Sequence, residues 1–160
     1  MSNEVIEDLV LWQEFLQQAN IGILINLITF HCPTHIFWAD ACPQGLGGYS
    51  ATGRAWRFAI PEEFLPFVEH ENNTLEFLAS FFCTWIAIVE GAAPPLSCFL
   101  SFADSMSALG WLHRANADDQ THPLLQLITR KFARVLMTAE CCLYGQHIKG
   151  AFNSVSDALS

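Results

Sequence analysis

Between His35 and Ile60, three short β-prone runs follow one another with only turns between them, and that spacing decides much of the fold. The first, His35-Ile36-Phe37-Trp38-Ala39-Asp40, starts after the chain break that Pro33 imposes. The second is Gly45-Leu46-Gly47-Gly48-Tyr49-Ser50. The third runs from Arg54 to Ile60, beyond the turn signal Thr52-Gly53, with Trp56 and Phe58 spaced by two. Strands joined this tightly form an antiparallel meander.

The rest of the chain supplies helices and two further strands. Residues 5 to 19 have amphipathic helical spacing, with Ile6, Leu9, Val10, Phe15 and Leu16 on one side. Ile21 to Phe30 is apolar and fits either helix or strand. The polar stretch from Pro61 to Asn73 predicts a loop with a helical turn in it. Asn73 is the expected cap of a helix from Thr74 to about Glu90, stopped by Gly91 with Pro94-Pro95 beyond. Ser97 to Ala103 is a buried strand ending at Asp104, and Ser105 can cap a short helix through His113. A polar loop, Asn116 to Gln120, leads to a helix capped by Thr121 and running from Pro123 to about Glu140. Leu143 to Lys149 is a last strand, and Ser154 opens a last helix. The expectation is one α/β domain, a five-stranded mixed sheet with helices on both faces, from residue 32 to 160. Residues 1–31 form a helical extension ahead of it.

Composition narrows the function classes. At 52% hydrophobic and 14% charged residues, the 160-residue chain has the makings of a packed core and not of a disordered one. The longest nearly apolar runs, Ile21 to Phe30 and Phe77 to Val89, fall short of a membrane span, and no cationic start precedes an apolar stretch. A soluble, intracellular protein without a membrane partner is expected. None of the six cysteines forms a C-x-x-C pair and five lie in strongly apolar segments, so reduced, buried thiols are favoured over disulfides or zinc. The net charge of −9 runs against nucleic-acid binding, since phosphate contacts need positive surface. Against that, Arg130, Lys131 and Arg134 cluster within one helical turn, which makes Arg130 and Arg134 candidate phosphate contacts.

Four acids stand out, each with an ordinary alternative. Asp40 follows an apolar strand; it is either a turn residue or a desolvated carboxylate in want of a cation. Glu76, three residues after Asn73, is either a capping-box acid or the polar end of a helix face of small residues (Ala79, Ser80, Cys83, Ala87) that can lie close to a sheet. The bulky side, Leu75, Leu78, Phe82, Ile86 and Val89, would then fill the core. Asp104 ends a strand, where sites form in α/β sheets, or caps the next helix. Asp157, three residues after Ser154, is by default a capping-box acid.

The flanking residues make these acids a pattern. D-A-C-P-Q-G-L-G-G-Y-S from Asp40 resembles the first-strand motif of ribonuclease H domains, D-A-S-x-x-G-x-G. N-N-T-L-E-F-L-A from Asn72 resembles their E-L-x-A helix, and S-F-A-D-S from Ser101 their T-D-N/S strand end. H-I-K-G-A-F-N-S-V-S-D-A-L-S from His147 is similar to the closing G-x-x-N-x-x-A-D-x-L-S. The four motifs come in the family's order and span essentially the whole chain. The pattern is nearest to domains attached to reverse transcriptases of gypsy-type and DIRS-like retrotransposons, which an L-x-x-W-x-x-F-L-x-x-A-N stretch, here Leu9 to Asn20, often precedes.

That resemblance implies a ribonuclease H-like fold and cleavage of the RNA strand of RNA–DNA hybrids, with the polymerase portion of a reverse transcriptase as a further partner. It implies two Mg²⁺ ions, with Mn²⁺ as a substitute, held by Asp40, Glu76, Asp104 and Asp157. Asp40 would bridge both ions, with Asp157 at the water-activating ion and Glu76 and Asp104 at the leaving-group ion. Gly47, with Gly48, would leave room for a duplex backbone beside Asp40, and Gln44, Asn72 and Asn73 are candidates for 2′-hydroxyl contacts. The sequence departs from the family at Ala151, where many members have a histidine that aids product release. Barely a turn of helix is expected around Asp157, and a frayed helix would hold it poorly. Two other readings share this sheet: an inactive ribonuclease H-like module that binds protein, which the acidic charge favours, and a nuclease or transposase acting on DNA, which the closing motif disfavours.

Overall fold

A computed structural model describes residues 3–23, 31–68, 71–114 and 123–160. Most of the Ile21–Phe30 stretch, the loop Asn116–Gln120 and the Thr121 cap lie outside them. The meander forms as its spacing requires: β1 (His35–Cys42), β2 (Gly45–Ser50) and β3 (Ala55–Ala59) pair antiparallel in sequence order. β1 runs two residues past Asp40, so that only Pro43 and Gln44 turn the chain into β2, a two-residue hairpin. Beyond β3 lie a 3₁₀ turn (Glu62–Phe64), α2 (Leu65–Val68) and α3 (Asn72–Val89). β4 (Cys98–Ala103) then returns parallel to β1. After α4 (Met106–Arg114) and α5 (Pro123–Ala139), β5 (Cys142–His147) lies parallel to β4, giving the order β3-β2-β1-β4-β5. α1 (Asn3–Ala19) precedes the sheet and α6 (Ser154–Leu159) closes the chain.

One face of the sheet is buried under α3. Phe37, Ala39, Ala41, Leu46 and Phe99 pack against Leu75, Ala79, Cys83 and Ala87 of that helix. Its small residues allow the close approach expected of them. The bulky side meets expectation only in part: Leu75 is buried and Leu78 and Phe82 pack partly buried against the core, but Val89 at the far end is 66% exposed. α3 ends as Gly91 adopts φ +69°, with Gly91 N–H donating to Ile88 O and Ala92 N–H to Ala87 O, the paired bonds of a Schellman motif. Among the described residues α3 is the one helix long and apolar enough to cross a membrane, and half of it is buried in this fold. A second cluster, Phe77, Ala108, Leu125, Ile128 and Phe132, joins α3 to α4 and α5.

The other face carries α6 and a row of half-buried aromatics, Trp38 stacked on Tyr49 at 4.8 Å and on Phe102 at 5.4 Å. α1 departs from expectation. Its apolar side, including Ile6, Leu9 and Leu16, stays exposed, and none of its residues is buried. Ion pairs with α5 hold it instead: Arg130 to Asp8 at 2.7 Å and Glu7 at 3.3 Å, and Arg134 to Glu14 at 2.9 Å. All six cysteines lie in described residues and none forms a disulfide.

Candidate active site

Asp40 is a strand residue and not a turn residue: it sits inside β1, opposite Gly47 of β2, and is 9% exposed. Asp104 directly follows β4, the parallel neighbour of β1, so the two acids emerge at the same end of the sheet. Ser105 relieves Asp104 of any capping duty, its Oγ accepting the Ala108 N–H at 3.2 Å. Glu76 reaches the same place from the first turns of α3. That helix begins at Asn72 with Glu71 in the cap position, two residues earlier than expected, so Asn73 is not its cap. Glu76 is therefore released from the capping box. Its side chain is buried in the sheet–helix interface, and one carboxylate oxygen from each of Asp40, Glu76 and Asp104 lies within 4.8 Å of the others.

The electrostatics of this cluster are unfavourable without a cation. Burial, then the charges of Asp40 and Asp104, push the Glu76 carboxyl up to about 8. Asp40 is raised too, chiefly by burial and further by Asp157 and Asp104, while a hydrogen bond from Ser160 acts the other way. Glu76 Oε2 is buried without a hydrogen-bond partner among the described residues. No Lys, Arg or His among the described residues forms an ion pair with any of the three acids. Two buried carboxylates and a half-buried third, with an unpartnered oxygen on Glu76 and only oxygen donors, fit a hard divalent cation such as Mg²⁺.

Asp157 stands outside this three-way contact. It is exposed on the first turns of α6, close enough that its charge raises both Asp40 and Glu76. Its own carboxyl is raised by partial burial and by Asp104. The capping-box role does not appear either: Asn153 occupies the cap position, and Ser156, not Asp157, bonds back to it through Oγ to Asn153 Oδ1.

Two residues that the sequence reading did not single out organise the site. Asn153, fully buried, donates from Nδ2 to Ala39 O at 3.2 Å and to Asp40 Oδ1 at 3.5 Å. Ser160 Oγ donates to Asp40 Oδ2 at 2.8 Å. Both lie in the closing N-S-V-S-D-A-L-S segment, so the asparagine of that motif was the available signal. Gly47 also acts differently from expectation. A Cβ there would come within 2.5 Å of the Leu159 and Ser160 backbone, so α6 fills the room expected for a duplex. Gly48 faces the other way, where a Cβ would meet Trp56 and Cys83.

The chain matches no family model and no curated protein. Solved structures do resemble it. RNase H1 from the halophilic archaeon Halobacterium salinarum is 20% identical, covering 78% of this chain and 92% of that one with a TM-score of 0.57. LC11-RNase H1 in complex with RNA/DNA hybrid is 16% identical over 79% and 93% of the two chains, with a TM-score of 0.58. A foamy viral protease-reverse transcriptase in complex with RNA/DNA hybrid aligns over 82% of this chain and 20% of its own, at 12% identity and a TM-score of 0.51. The fold is ribonuclease H-like.

Within this ribonuclease H-like fold, the remaining candidates are scattered. Gln44 lies exposed in the β1–β2 turn, on the strand connection next to Asp40. Asn72 and Asn73 are exposed at the start of α3, Asn73 accepting a hydrogen bond from Ser105 Oγ at 3.4 Å. Arg130 and Arg134 are on α5, their guanidinium groups engaged by the acids of α1. Ala151, near which the sequence resemblance would place a histidine, is exposed in a 3₁₀ turn (Gly150–Phe152) that leads into Asn153.

Proposed function

We propose that the chain cuts the RNA strand of RNA–DNA hybrids with two Mg²⁺ ions held by Asp40, Glu76 and Asp104 and joined by Asp157. We place it in, or derived from, the reverse transcriptase of a gypsy-type or DIRS-like retroelement. The observation that carries the reading is buried Glu76, with Oε2 lacking a hydrogen-bond partner among the described residues, one carboxylate oxygen within 4.8 Å of oxygens of Asp40 and Asp104, and no ion pair to a described basic residue. Such a cluster is costly for folding and gains its purpose from a cation. Bound divalent ions, Mn²⁺ in place of Mg²⁺ if need be, would activate a water and neutralise the leaving oxygen of a phosphodiester.

The chain's own residues set up that chemistry. Asn153 and Ser160 fix the Asp40 carboxylate by one hydrogen bond to each oxygen, so that its orientation is set before any ion arrives. Glu76, held protonated around neutrality by its burial, gives up that proton on ligation. Exposed Gln44, in the turn after β1, and Asn72 and Asn73, at the start of the helix that carries Glu76, suit contacts with the 2′-hydroxyls that mark the RNA strand. Arg130 and Arg134 reach phosphate only where their pairs with α1 part. The apolar side that α1 leaves exposed suits the polymerase portion of the same enzyme. Two of the structures this chain resembles were solved with RNA/DNA hybrid, which supports the substrate.

The test is direct. Purified protein with Mg²⁺ or Mn²⁺ should cut a labelled hybrid, leaving 5′-phosphate and 3′-hydroxyl ends, and Asp40→Asn should abolish the cutting. Cutting unchanged by Asp40→Asn would refute the site. The net charge of −9 and the engagement of Arg130 and Arg134 favour one other reading, an inactive module that binds protein. Wild type with no more activity than Asp40→Asn, at saturating metal, would decide for it.

A further inference from the structure

A second set of ligating side chains lies at the opposite end of the same sheet. Cys98 and Cys142 open β4 and β5 and are Cα partners in the parallel ladder, so their thiols project from one face. Both are buried. His31, in the segment ahead of β1, brings a ring nitrogen to them, and the two sulfurs and this nitrogen all lie within 4.8 Å of one another. The segment carrying His31 is held there by backbone and side-chain hydrogen bonds. Thr34 N–H donates to Cys98 O at 2.9 Å, Cys98 N–H donates to Thr34 Oγ1 at 3.0 Å, and Cys98 Sγ donates to the His31 carbonyl at 3.6 Å.

We propose that His31, Cys98 and Cys142 bind one zinc-class divalent ion, the fourth position going to solvent, and that the ion ties the segment entering β1 to the β4–β5 edge. Imidazole and thiolate are the donors such an ion selects, and Mg²⁺ does not take them. Zn–S of about 2.3 Å and Zn–N of about 2.0–2.1 Å put tetrahedral ligands roughly 3.5–3.8 Å apart, so the three donors need close by only about 1 Å. On binding, the two S–H protons leave to solvent and each sulfur's electron pair forms the bond to the metal. Two thiolates and one dication sum to zero charge, which suits a site built on buried sulfur. Tyr144, two residues on and on the same face as Cys142, places its hydroxyl within hydrogen-bond reach of the Cys142 sulfur, the kind of outer contact that supports a metal-bound thiolate. Cys98 and Asp104 are separated by the length of β4, roughly 20 Å at about 3.3 Å per residue, so the two ends of the sheet load independently. The inference does not rest on the nuclease reading.

Titration of the reduced, metal-stripped full chain with Co²⁺ tests it. One equivalent should produce a sulfur-to-cobalt charge-transfer band, and one equivalent of Zn²⁺ should remove it. Cys98→Ser and Cys142→Ser should each lose the band, His31→Ala should weaken Co²⁺ binding at least about tenfold, the span seen when metal-site contacts are removed, and Asp40→Asn should keep the band. The proposal is overturned by absence of the band, by its survival in the Cys98→Ser/Cys142→Ser double variant, or by unreduced protein whose mass is two hydrogens short, with the two sulfurs joined. Should the cysteine variants fail to fold, His31→Ala carries the test: it leaves both thiols in place, and undiminished Co²⁺ affinity in the folded variant overturns the site.

Discussion

The candidate carboxylate site is built in two halves of different construction. Asp40, Glu76 and Asp104 come from β1, α3 and the end of β4, elements that share the main core. Their positions follow from the packing of Ala39, Ala41, Ala79 and Phe99, and moving one acid means moving the sheet. Asp157 comes from α6, a helix of six residues whose one buried member is Ser156. That half is held by the buried Asn153, by Ser160 on Asp40, and by the absence of side chains at Gly45 and Gly47, where α6 lies against β2. The first half is fixed by the fold; the second is fixed by a few contacts that substitution can remove singly.

The largest expected effect falls on the first half. Asp104→Asn and Glu76→Gln should each lower metal-dependent cutting of a hybrid by more than about 100-fold, beyond the 10–100-fold typical of residues that only support metal ligands. Steady-state cleavage assays across a Mg²⁺ series measure this. Losses below tenfold for either variant would break the distinction between the halves.

A pH effect on the metal-free protein comes next. The folded-state value for Glu76, about 8, lies above its ordinary 4.5, so between these values the folded chain holds a proton that the unfolded chain has released. Stability from this group is therefore fully present below about pH 4.5 and is lost as pH rises through about 8, by on the order of a few kcal/mol. Glu76→Gln removes the titration. The variant should thus be the more stable of the two at about pH 8.5 without metal, and the gap should close towards about pH 5. Denaturant melts at the two pH values test this, and saturating Mg²⁺ should cancel the wild-type loss.

Contacts of the second half carry smaller effects. Gly47→Ala sets a Cβ within 2.5 Å of the Leu159 and Ser160 backbone, so α6 must lift from β2. The expected cost is about 1–3 kcal/mol. Asn153→Ala strips buried hydrogen bonds from Ala39 O and Asp40 at a cost of about 1–3 kcal/mol. Both should reduce cutting while leaving the β-sheet signal in circular dichroism intact. Unfolding of the sheet in either variant would show that α6 is part of the core after all.

The two halves also differed in how far the sequence revealed them. The meander, the presence of two further strands, β4 and β5, and the small-residue face of α3 were legible because periodicity and turn chemistry act locally, whereas the parallel pairing of β4 with β1 and of β5 with β4 is not a local property. Asp40 and Glu76 had local alternatives, a turn and a capping box. Only the hairpin at Pro43-Gln44 and the start of α3 at Asn72 remove them, and both are matters of one or two residues of register. Gly47 was misjudged because a glycine in a strand announces a close approach without saying what approaches. The hold on Arg130 and Arg134 spans about 120 residues of sequence, which no local pattern encodes. The same holds for His31, Cys98 and Cys142, whose spacing matches no metal motif and which meet only because β4 and β5 are neighbours.

Asp157→Asn should have the smallest effect of the four acid substitutions, and it discriminates best between the halves. The side chain is exposed and outside the 4.8 Å cluster, so its neutralisation unburies nothing and relieves some repulsion on Asp40 and Glu76. Loss of an acid near the start of α6 costs about 0.3–1 kcal/mol at most from the helix dipole. Stability should therefore be nearly unchanged, and cutting should persist at reduced rate with a higher metal requirement. A loss as deep as that of Asp40→Asn would mean that α6 closes onto the cluster once metal and hybrid are bound, making Asp157 a full ligand. Gly47→Ala would then have to be as damaging as the loss of an acid, since the same closure presses α6 onto β2.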